Sequence, residues 1–340
     1  MKNFDFALLG TRAVQYRLVI MLVAVAVFGG LSLDDFLTIN TLQSVLDRAT
    51  VVGFLALGLT PVLIAGQIDL SIGSMMSMAG ITTIFMQPVI GNVPAAAAGV
   101  AVGILIGAVN ALMVVVFKIN SLVATLATLL IFASLALLLT NSYPLSSEDP
   151  IFGLPLTADF LWILTPRSAI FLTAAVLMFV WLKLTPTGRN LYAVGSDAPA
   201  ATSSGINANG YIAASFVLSG FFAGLAGMMQ SLSTAAGSPV AGAVMLIPAI
   251  TAVVIGGTRL EGGRGSSLAT LGGVLALGAL TTALEYNGVP SYTQAIYTGL
   301  LLILLISLDR IVSGHGGASS RAQRSVRVAP RNTPLPRRNA

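Results

Sequence analysis

One acidic residue, Asp69, lies between two long apolar runs, in the segment AGQIDLSIGS (65–74). Burying a carboxyl group costs free energy unless hydrogen-bond donors or charges compensate, and an acid inside a membrane is by default a functional hypothesis. Two interpretations remain open. In the first, Asp69 or Ser71 caps the helix that follows, by accepting from backbone N–H groups of its first turn. In the second, the segment takes part in gating or in the passage of a substrate.

Other kinds of chemistry have few residues available. The 340-residue chain has no cysteine and one histidine, His315, so disulfides, thiolate metal sites and histidine-based triads are excluded. The segment GGTRLEGGRGS (256–266) is not a phosphate-binding P-loop, because that loop needs Gly-Lys followed by Ser or Thr, and no lysine here follows a glycine. Arg259 and Arg264 are interpreted either as anchors on the cytoplasmic side or as a contact with a cytoplasmic partner.

The elements that position these residues are predicted to lie in a membrane. Hydrophobic residues make up 56% of the chain and charged residues 9%, whereas soluble domains carry roughly 25% charged residues. A soluble enzyme is therefore nearly excluded. A helix crosses the hydrocarbon core with about 20 apolar residues, and ten runs approach that length. They are 17–33, 46–66, 71–88, 94–117, 121–140, 168–184, 211–232, 243–258, 266–284 and 291–308.

The charge distribution predicts the orientation. If ten spans alternate from a cytoplasmic N-terminus, every Lys and Arg except Arg48 and Arg167 falls on the cytoplasmic side, as the positive-inside rule requires. The prediction is an all-α, polytopic membrane helix bundle of about ten transmembrane helices with both termini cytoplasmic. Residues 1–16 form a cytoplasmic segment, 17–310 the transmembrane domain and 311–340 a basic, disordered tail. The net charge of +5 then reflects the orientation in the membrane. It predicts membrane lipid as a partner and does not indicate binding to nucleic acid.

Glycines at helical spacing predict close helix packing. Gly99, Gly103 and Gly107 are four residues apart, and so are Gly220 and Gly224. Helices associate in lipid by close backbone approach across such small residues. A flexible gate lined by these glycines is the alternative interpretation.

Ionisable residues are almost absent from the spans, so a solute path is predicted to be lined by neutral polar side chains. The candidates are Asn110, Thr125, Thr128, Gln230, Ser231 and Thr251.

Two longer loops contain local signals. In the inner loop 188–210, Asp197 precedes Ala-Pro-Ala, which is typical of an N-cap with proline in the first turn, so a short surface helix is predicted up to Ser204. Such a helix fits either a plain connector or the contact with a motor subunit. The outer loop 141–167 contains four prolines and Trp162, and it either covers the outer mouth or docks an external protein.

Several of these segments, in this order, resemble motifs of the inner-membrane permeases of ribose-type monosaccharide ABC importers. The resemblance extends over nearly all of residues 38–310 and implies no catalytic residue, metal or cofactor in this chain. The matching motifs are AGQIDLSIGS (65–74), IxxxVATLATL from Ile119, GRNLYAVGSDAPAATSSGIN (188–207), GxxAGLAGMM (220–229) and AITAVVIGGTRLEGGRGS (249–266).

The resemblance implies a bacterial inner-membrane permease that imports a pentose or hexose. It implies three partners: an ABC ATPase subunit that binds ATP and Mg²⁺, a periplasmic sugar-binding protein, and a second permease chain in a homodimer or heterodimer. Carried over by motif, the ATPase contact falls on Gly188, Arg189, Ala193, Gly195, Ala201, Gly205 and Ile206. The gating or substrate-path motif falls on Asp69, Leu70, Ser71, Gly73 and Ser74.

Two departures from the family pattern concern the substrate. Gln67 replaces a common glycine, and residues 245–248 replace an acidic stretch of many ribose permeases, so ribose itself is in doubt. An ion-coupled secondary carrier of small solutes is the alternative function, which the lack of ion-coupling residues in the spans disfavours. An intramembrane enzyme ranks last, because the spans lack paired carboxylates, metal ligands and a Ser-Lys dyad.

Overall fold

The computed structural model shows an all-α chain, as predicted, with a single pair of two-residue strands among the residues that it describes. Those residues are 21, 23, 25–27, 29–30, 36, 38–160 and 162–307. The predicted segment 1–16, much of the first span and the tail 311–340 lie outside them. In the described part, six helices are long and apolar enough to cross a membrane, and two further apolar helices are shorter. The total of ten and the orientation of the termini stay predictions.

The helices follow the predicted spans closely from the second span onward. In chain order they are α1 Ile39–Ile64, α2 Ile72–Ile90, α3 Asn92–Ala111, α4 Ser121–Leu139, α5 Pro166–Leu184, α6 Pro186–Ser196, α7 Ala198–Ser203, α8 Ala208–Ser233, α9 Ala241–Ile255, α10 Ser267–Tyr286 and α11 Ser291–Ser307. A π-helical turn, Leu112–Val116, extends α3, and a 3-10 turn covers Leu154–Leu156. The strands β1, Leu145–Ser146, and β2, Ala236–Gly237, pair antiparallel.

The main difference in boundaries is at α1, which begins at Ile39 and not at residue 46. Thr38 is its N-cap, and the Thr38 hydroxyl accepts from the backbone N–H of Thr41 at 3.3 Å. A search for apolar runs misses this start because the first turns contain polar residues, among them Gln43 and Asp47.

The loops gather at two ends of the bundle, as alternating spans require, and we name these ends inner and outer after the predicted orientation. The inner end contains residues 65–71, 185–207 and 256–266, where Gly66, Gly195 and Gly262 are in contact. The outer end contains residues 140–160, 162–165 and 234–240, and the first and last of these segments pair through β1 and β2. Asn92 Nδ2 at the start of α3 also donates to Asp149 Oδ2 of the outer end, at 2.7 Å.

Two ion pairs join the outer end of α1 to other helices. Asp47 Oδ2 lies 2.7 Å from Arg167 Nη2 of α5, and both side chains are largely buried. The next residue, Arg48, pairs with Glu285 of α10, where Nη2 lies 3.0 Å from Oε1. The two arginines that the sequence places on the outer side are therefore both paired with acids.

Glycines form the contact between α3 and α8, which confirms the packing interpretation. A Cβ atom on Gly103 would lie 2.4 Å from the carbonyl oxygen of Gly220, and one on Gly107 would lie 2.4 Å from that of Phe216. Real Cβ atoms do not approach a carbonyl oxygen so closely, so only glycine allows these backbones to touch.

Gly103→Val is therefore expected to lower the midpoint of thermal unfolding of the detergent-solubilised protein. Forcing extra atoms into a packed contact costs about 1–3 kcal/mol. Gly299→Val on α11 is the matched control, because nothing lies within 4 Å of a Cβ there. An unchanged midpoint for Gly103→Val, measured by fluorescence-detected thermal denaturation, would contradict the close approach of α3 and α8.

Candidate functional site

The helical structure is interrupted between α1 and α2, and the connecting segment runs into the interior of the bundle. We call this segment the α1–α2 break. Gly66 makes the turn with a φ of +73°, a conformation that side chains other than glycine rarely adopt. Beyond it, Asp69 and Ser71 are completely buried, each with 0% of its surface exposed. Apart from the exposed turn at Gly66, the segment 65–71 is therefore buried or half-buried, although it joins two membrane helices.

Hydrogen-bond donors surround the carboxyl group of Asp69. Its Oδ1 accepts from the backbone N–H of Ser71 at 3.0 Å and from the Ser71 hydroxyl at 2.7 Å. Its Oδ2 accepts from the hydroxyl of Ser219 in α8 at 2.7 Å. Among the described residues, no Lys, Arg or His forms an ion pair with Asp69. Neutral donors alone therefore compensate for the burial of this acid.

The hydrogen bonds continue from Asp69 into α3 and α4. Asn110 Nδ2 of α3 donates to the Ser71 hydroxyl at 2.7 Å, and Thr128 Oγ1 of α4 donates to Asn110 Oδ1 at 2.7 Å. The backbone N–H of Leu70 donates to Thr125 Oγ1 of α4 at 3.1 Å. The break is thus bonded to α3, α4 and α8 at once. We call the following side chains the Asp69 network: Asp69, Ser71, Asn110, Thr125, Thr128 and Ser219.

The predicted capping of α2 is wrong for Ser71, whereas Asp69 accepts from the backbone N–H of Ser71, the residue just before the helix. Ser71 immediately precedes α2, but its side chain accepts from no N–H group of the first turn. Its hydroxyl instead donates to Asp69 and accepts from Asn110. The physical reason is that a buried carboxyl group without donors costs more free energy than a helix terminus without a side-chain cap.

The remaining residues of the predicted path have other surroundings. Ser74 donates to the Ser71 carbonyl at 2.8 Å, and Gly73 packs against the carbonyl of Gly242 in α9. Ser231 and Thr251 are buried and donate to carbonyls of their own helices. Gln230 is half-buried near the end of α8. The structure therefore brings Asp69, Ser71, Asn110, Thr125 and Thr128 together. Within the described part of the chain, Gln230, Ser231 and Thr251 form no hydrogen bond with them.

A cavity of 930 Å³ lies between α3, α5 and α8. Its lining is almost entirely apolar and includes Ile104, Leu177, Trp181 and Phe221. None of the predicted path residues lines it. A sugar needs partners for its hydroxyl groups, so this cavity does not have the lining of a sugar site, and the polar groups that could supply those partners are closed within the Asp69 network.

Two short helices cover the inner end between α5 and α8. Thr185 caps α6 by accepting from the backbone N–H of Gly188 at 3.1 Å, and Pro186 occupies its first position. Asp197 caps α7 by accepting from the N–H of Ala200 at 3.0 Å, which confirms the predicted short helix. α6 was not predicted, because Pro186 and the glycines of this segment are typical of loops.

The residues carried over as the ATPase contact divide into two groups. Arg189, Ala193 and Gly205 are exposed. Gly188 and Ala201 are buried, and Gly195 and Ile206 are half-buried against other parts of the chain. Only the first group has the exposure that a protein contact requires in this conformation.

One member of the Asp69 network, Ser219, was missed in the sequence. The only local signal is a polar residue four positions after Ser215 on an otherwise apolar helix. Serines in helices commonly bond to their own backbone, as Ser215 does to the carbonyl of Ile212. The sequence alone does not distinguish Ser219 from Ser215.

Comparison with known proteins identifies the bundle. The family described as branched-chain amino acid transport system, permease component, matches residues 41–305. The chain belongs to this permease family. The match runs from the first turn of α1 into α11, and so includes the Asp69 network and α6–α7.

The permease is also similar to curated import permeases over most of its length. It is 33% identical to the ribose import permease protein RbsC of Escherichia coli K12, over 87% of this chain and 93% of that one. It is 31% identical to the D-allose transport system permease protein AlsC of the same strain, over 92% and 95%. It is 32% identical to the autoinducer 2 import system permease protein LsrD of Escherichia coli SMS-3-5, over 93% and 96%. No solved structure matches. The resemblance to sugar-import permeases is confirmed, and the permease is a multi-pass integral membrane protein.

Proposed function

We propose that the permease is the transmembrane subunit of an ATP-driven importer that moves a monosaccharide into the cytoplasm. The observation that carries the proposal is the similarity to ribose and allose permeases over nearly the whole chain. A separate ATPase subunit binds and hydrolyses ATP with Mg²⁺, and a periplasmic binding protein delivers the sugar. A second permease chain, identical or related, completes the path across the bacterial inner membrane.

The composition of the site supports transport driven by a partner and not by an ion gradient. Ion-coupled carriers use acidic or basic groups within the membrane to bind and release the coupling ion. In the described part of the chain, Asp69 is the only completely buried acid, and hydroxyl and N–H groups occupy both of its oxygens. The carboxyl group of Asp69 is therefore not free to bind a coupling ion in this conformation.

The proposed substrate class is a pentose or a hexose. Relatives that import ribose, D-allose and autoinducer 2 are 31–33% identical to the permease, so identity does not select among these substrates. Two of the three are monosaccharides, and the binding protein is expected to make the finer choice.

The proposed mechanism assigns the contact with the ATPase to α6 and α7. ATP-driven closure of the ATPase domains displaces the exposed residues of this helix pair. The bundle then alternates between an outward-open and an inward-open conformation, with the binding of ATP shifting the population. Because the Asp69 network joins the α1–α2 break to α3, α4 and α8, its rearrangement accompanies that transition.

Uptake into proteoliposomes tests the proposal. Vesicles hold the permease and the ATPase subunit, with ATP on the ATPase side and the sugar-loaded binding protein on the other. Uptake of radiolabelled sugar is expected to continue when ionophores collapse the proton and sodium gradients, and to stop with an ATPase variant that cannot hydrolyse ATP. Uptake that stops on collapse and continues without the ATPase would refute the proposal in favour of an ion-coupled carrier. A panel of labelled pentoses and hexoses then identifies the substrate.

A further inference from the structure

Three segments of the inner end meet through their backbones at one carbonyl group. The carbonyl oxygen of Ile64, the last residue of α1, accepts from the N–H of Gly263 at 2.9 Å. A Cβ atom on Gly195 of α6 would lie 1.7 Å from the same oxygen. A Cβ atom on Gly262 would lie 2.5 Å from the carbonyl oxygen of Gly195 and 2.8 Å from the Cα atom of Gly66. We call Gly66, Gly195, Gly262 and Gly263, with the Ile64 carbonyl, the glycine joint.

The backbone conformation of the joint also requires glycine. Gly66, Gly262 and Gly263 have φ angles of +73°, +90° and +69°, where a Cβ atom is strained. Any side chain at these positions would strain the turn, and at Gly195 or Gly262 it would also push the three segments apart. The end of α1, the end of α6 and the loop 256–266 are therefore in direct contact and cannot separate or slide independently without breaking it.

Tyr192 makes a second connection between α6 and the same loop. Its hydroxyl donates to the carbonyl oxygen of Gly265 at 2.8 Å. A phenol is protonated at neutral pH, and burial raises the pKa of Tyr192 further above its ordinary value, so the hydroxyl remains a donor. The ammonium group of Lys183, at the end of α5, lies 4.8 Å from the centre of the Tyr192 ring. The hydrogen bond from Tyr192 to Gly265 involves none of the residues of the glycine joint.

The joint lies between the proposed ATPase contact and the Asp69 network. Gly195 is close to the end of α6, just before the Asp197 cap of α7. Gly66 is in the break that leads directly to Asp69. A displacement of α6 and α7 therefore reaches the α1–α2 break through backbone contacts, with no flexible side chain between them.

We propose that Gly195 and Tyr192 are positioning residues that transmit the movement of α6–α7 to the break holding Asp69, and are not contacts with the ATPase. The inference rests on the function proposed above and deepens it. The family motif places Gly195 in the ATPase contact, whereas the geometry points it inward at Ile64.

The test compares sugar import with ATP hydrolysis in the reconstituted complex. For Tyr192→Phe and Gly195→Ala, three quantities are measured: ATPase subunit retained on purification, ATP hydrolysed, and sugar imported. Tyr192→Phe is expected to lower the sugar imported per ATP by about fivefold, the change that one net hydrogen bond supports. Gly195→Ala is expected to lower the ratio further. Both variants should retain the ATPase subunit, and Gly299→Ala, which meets nothing within 4 Å, should behave as wild type.

The ratio separates a positioning role from a structural one. A variant that only folds less well loses import and hydrolysis in proportion, so an unchanged ratio for Tyr192→Phe would overturn the inference. Loss of the ATPase subunit from either variant would also overturn it, by placing the residue in the contact surface. If Gly195→Ala does not fold, Tyr192→Phe decides alone. Uptake by the wild-type complex without ATP would instead refute the proposed function. Because that assay uses no variant, the two failures are distinguishable.

Discussion

Asp69→Leu is expected to reduce sugar uptake by more than tenfold and to lower the thermal stability of the permease. Leucine branches at Cγ as aspartate does but accepts no hydrogen bond, so the N–H and hydroxyl of Ser71 and the hydroxyl of Ser219 lose their acceptor. Each buried group left without a partner costs about 1–3 kcal/mol. The break would then no longer be fixed to α8. Uptake in vesicles and thermal denaturation in detergent measure the two effects.

Asp69→Asn is the matched variant, because it removes the charge and keeps the shape. Its oxygen accepts from Ser71, and its amide donates to the Ser219 hydroxyl, which can accept. Most of the uptake and stability should therefore remain. Equal losses in Asp69→Asn and Asp69→Leu would show that the permease uses the negative charge itself, which would contradict the neutral network and favour ion coupling. Ser219→Ala removes one of the three hydrogen bonds to Asp69. Its uptake and thermal stability are expected to lie between those of Asp69→Asn and Asp69→Leu.

Gly205→Arg is expected to reduce sugar uptake by more than tenfold without reducing the amount of folded permease in the membrane. Gly205 follows α7 with a φ of +84°, and nothing lies within 4 Å of a Cβ atom there. Arginine therefore meets no steric clash, but it strains the turn by about 1–2 kcal/mol. It also adds a long cationic side chain to the surface proposed to contact the ATPase. Retention of the ATPase subunit, ATP hydrolysis and uptake are measured together.

Gly205→Asn is the control for the turn, because asparagine tolerates the left-handed region better than other side chains. If the turn alone matters, Gly205→Asn transports normally and Gly205→Ala is partly impaired. If the added side chain matters, Gly205→Arg also loses the ATPase subunit. Normal uptake by Gly205→Arg would mean that the loop is only a connector between α7 and α8.

The membrane helices could be predicted from the sequence because length and hydropathy are sufficient for that purpose. Three residues of the site could be predicted by a similar argument, because Asn110, Thr125 and Thr128 are neutral polar groups in apolar helices. The structure joins them to Asp69. Their hydrogen-bond partners could not be predicted, because these depend on how α3, α4 and α8 pack. Ser219 shows this most clearly, since it bonds to a residue 150 positions away.

The structure of the inner end was harder to predict, because proline and glycine occur both in loops and in helix starts or close backbone contacts. Pro186, Gly188 and Gly195 are typical of a loop, yet the proline begins α6 and the glycines pack against other backbones. A glycine that permits contact between distant segments has the same local signature as one that permits a turn. The glycine joint could therefore be recognised only from the folded chain.

Different contacts hold the two ends of α1. Asp47 and Arg48 hold the outer end to α5 and α10, whereas Ile64 at the other end belongs to the glycine joint. Pro61 lies inside α1, one turn before Ile64, and a proline within a helix removes a backbone hydrogen bond and allows bending. We therefore expect α1 to bend most easily at its final turn. Bending there would carry the α1–α2 break with it and leave the ion pairs at the outer end of α1 unchanged.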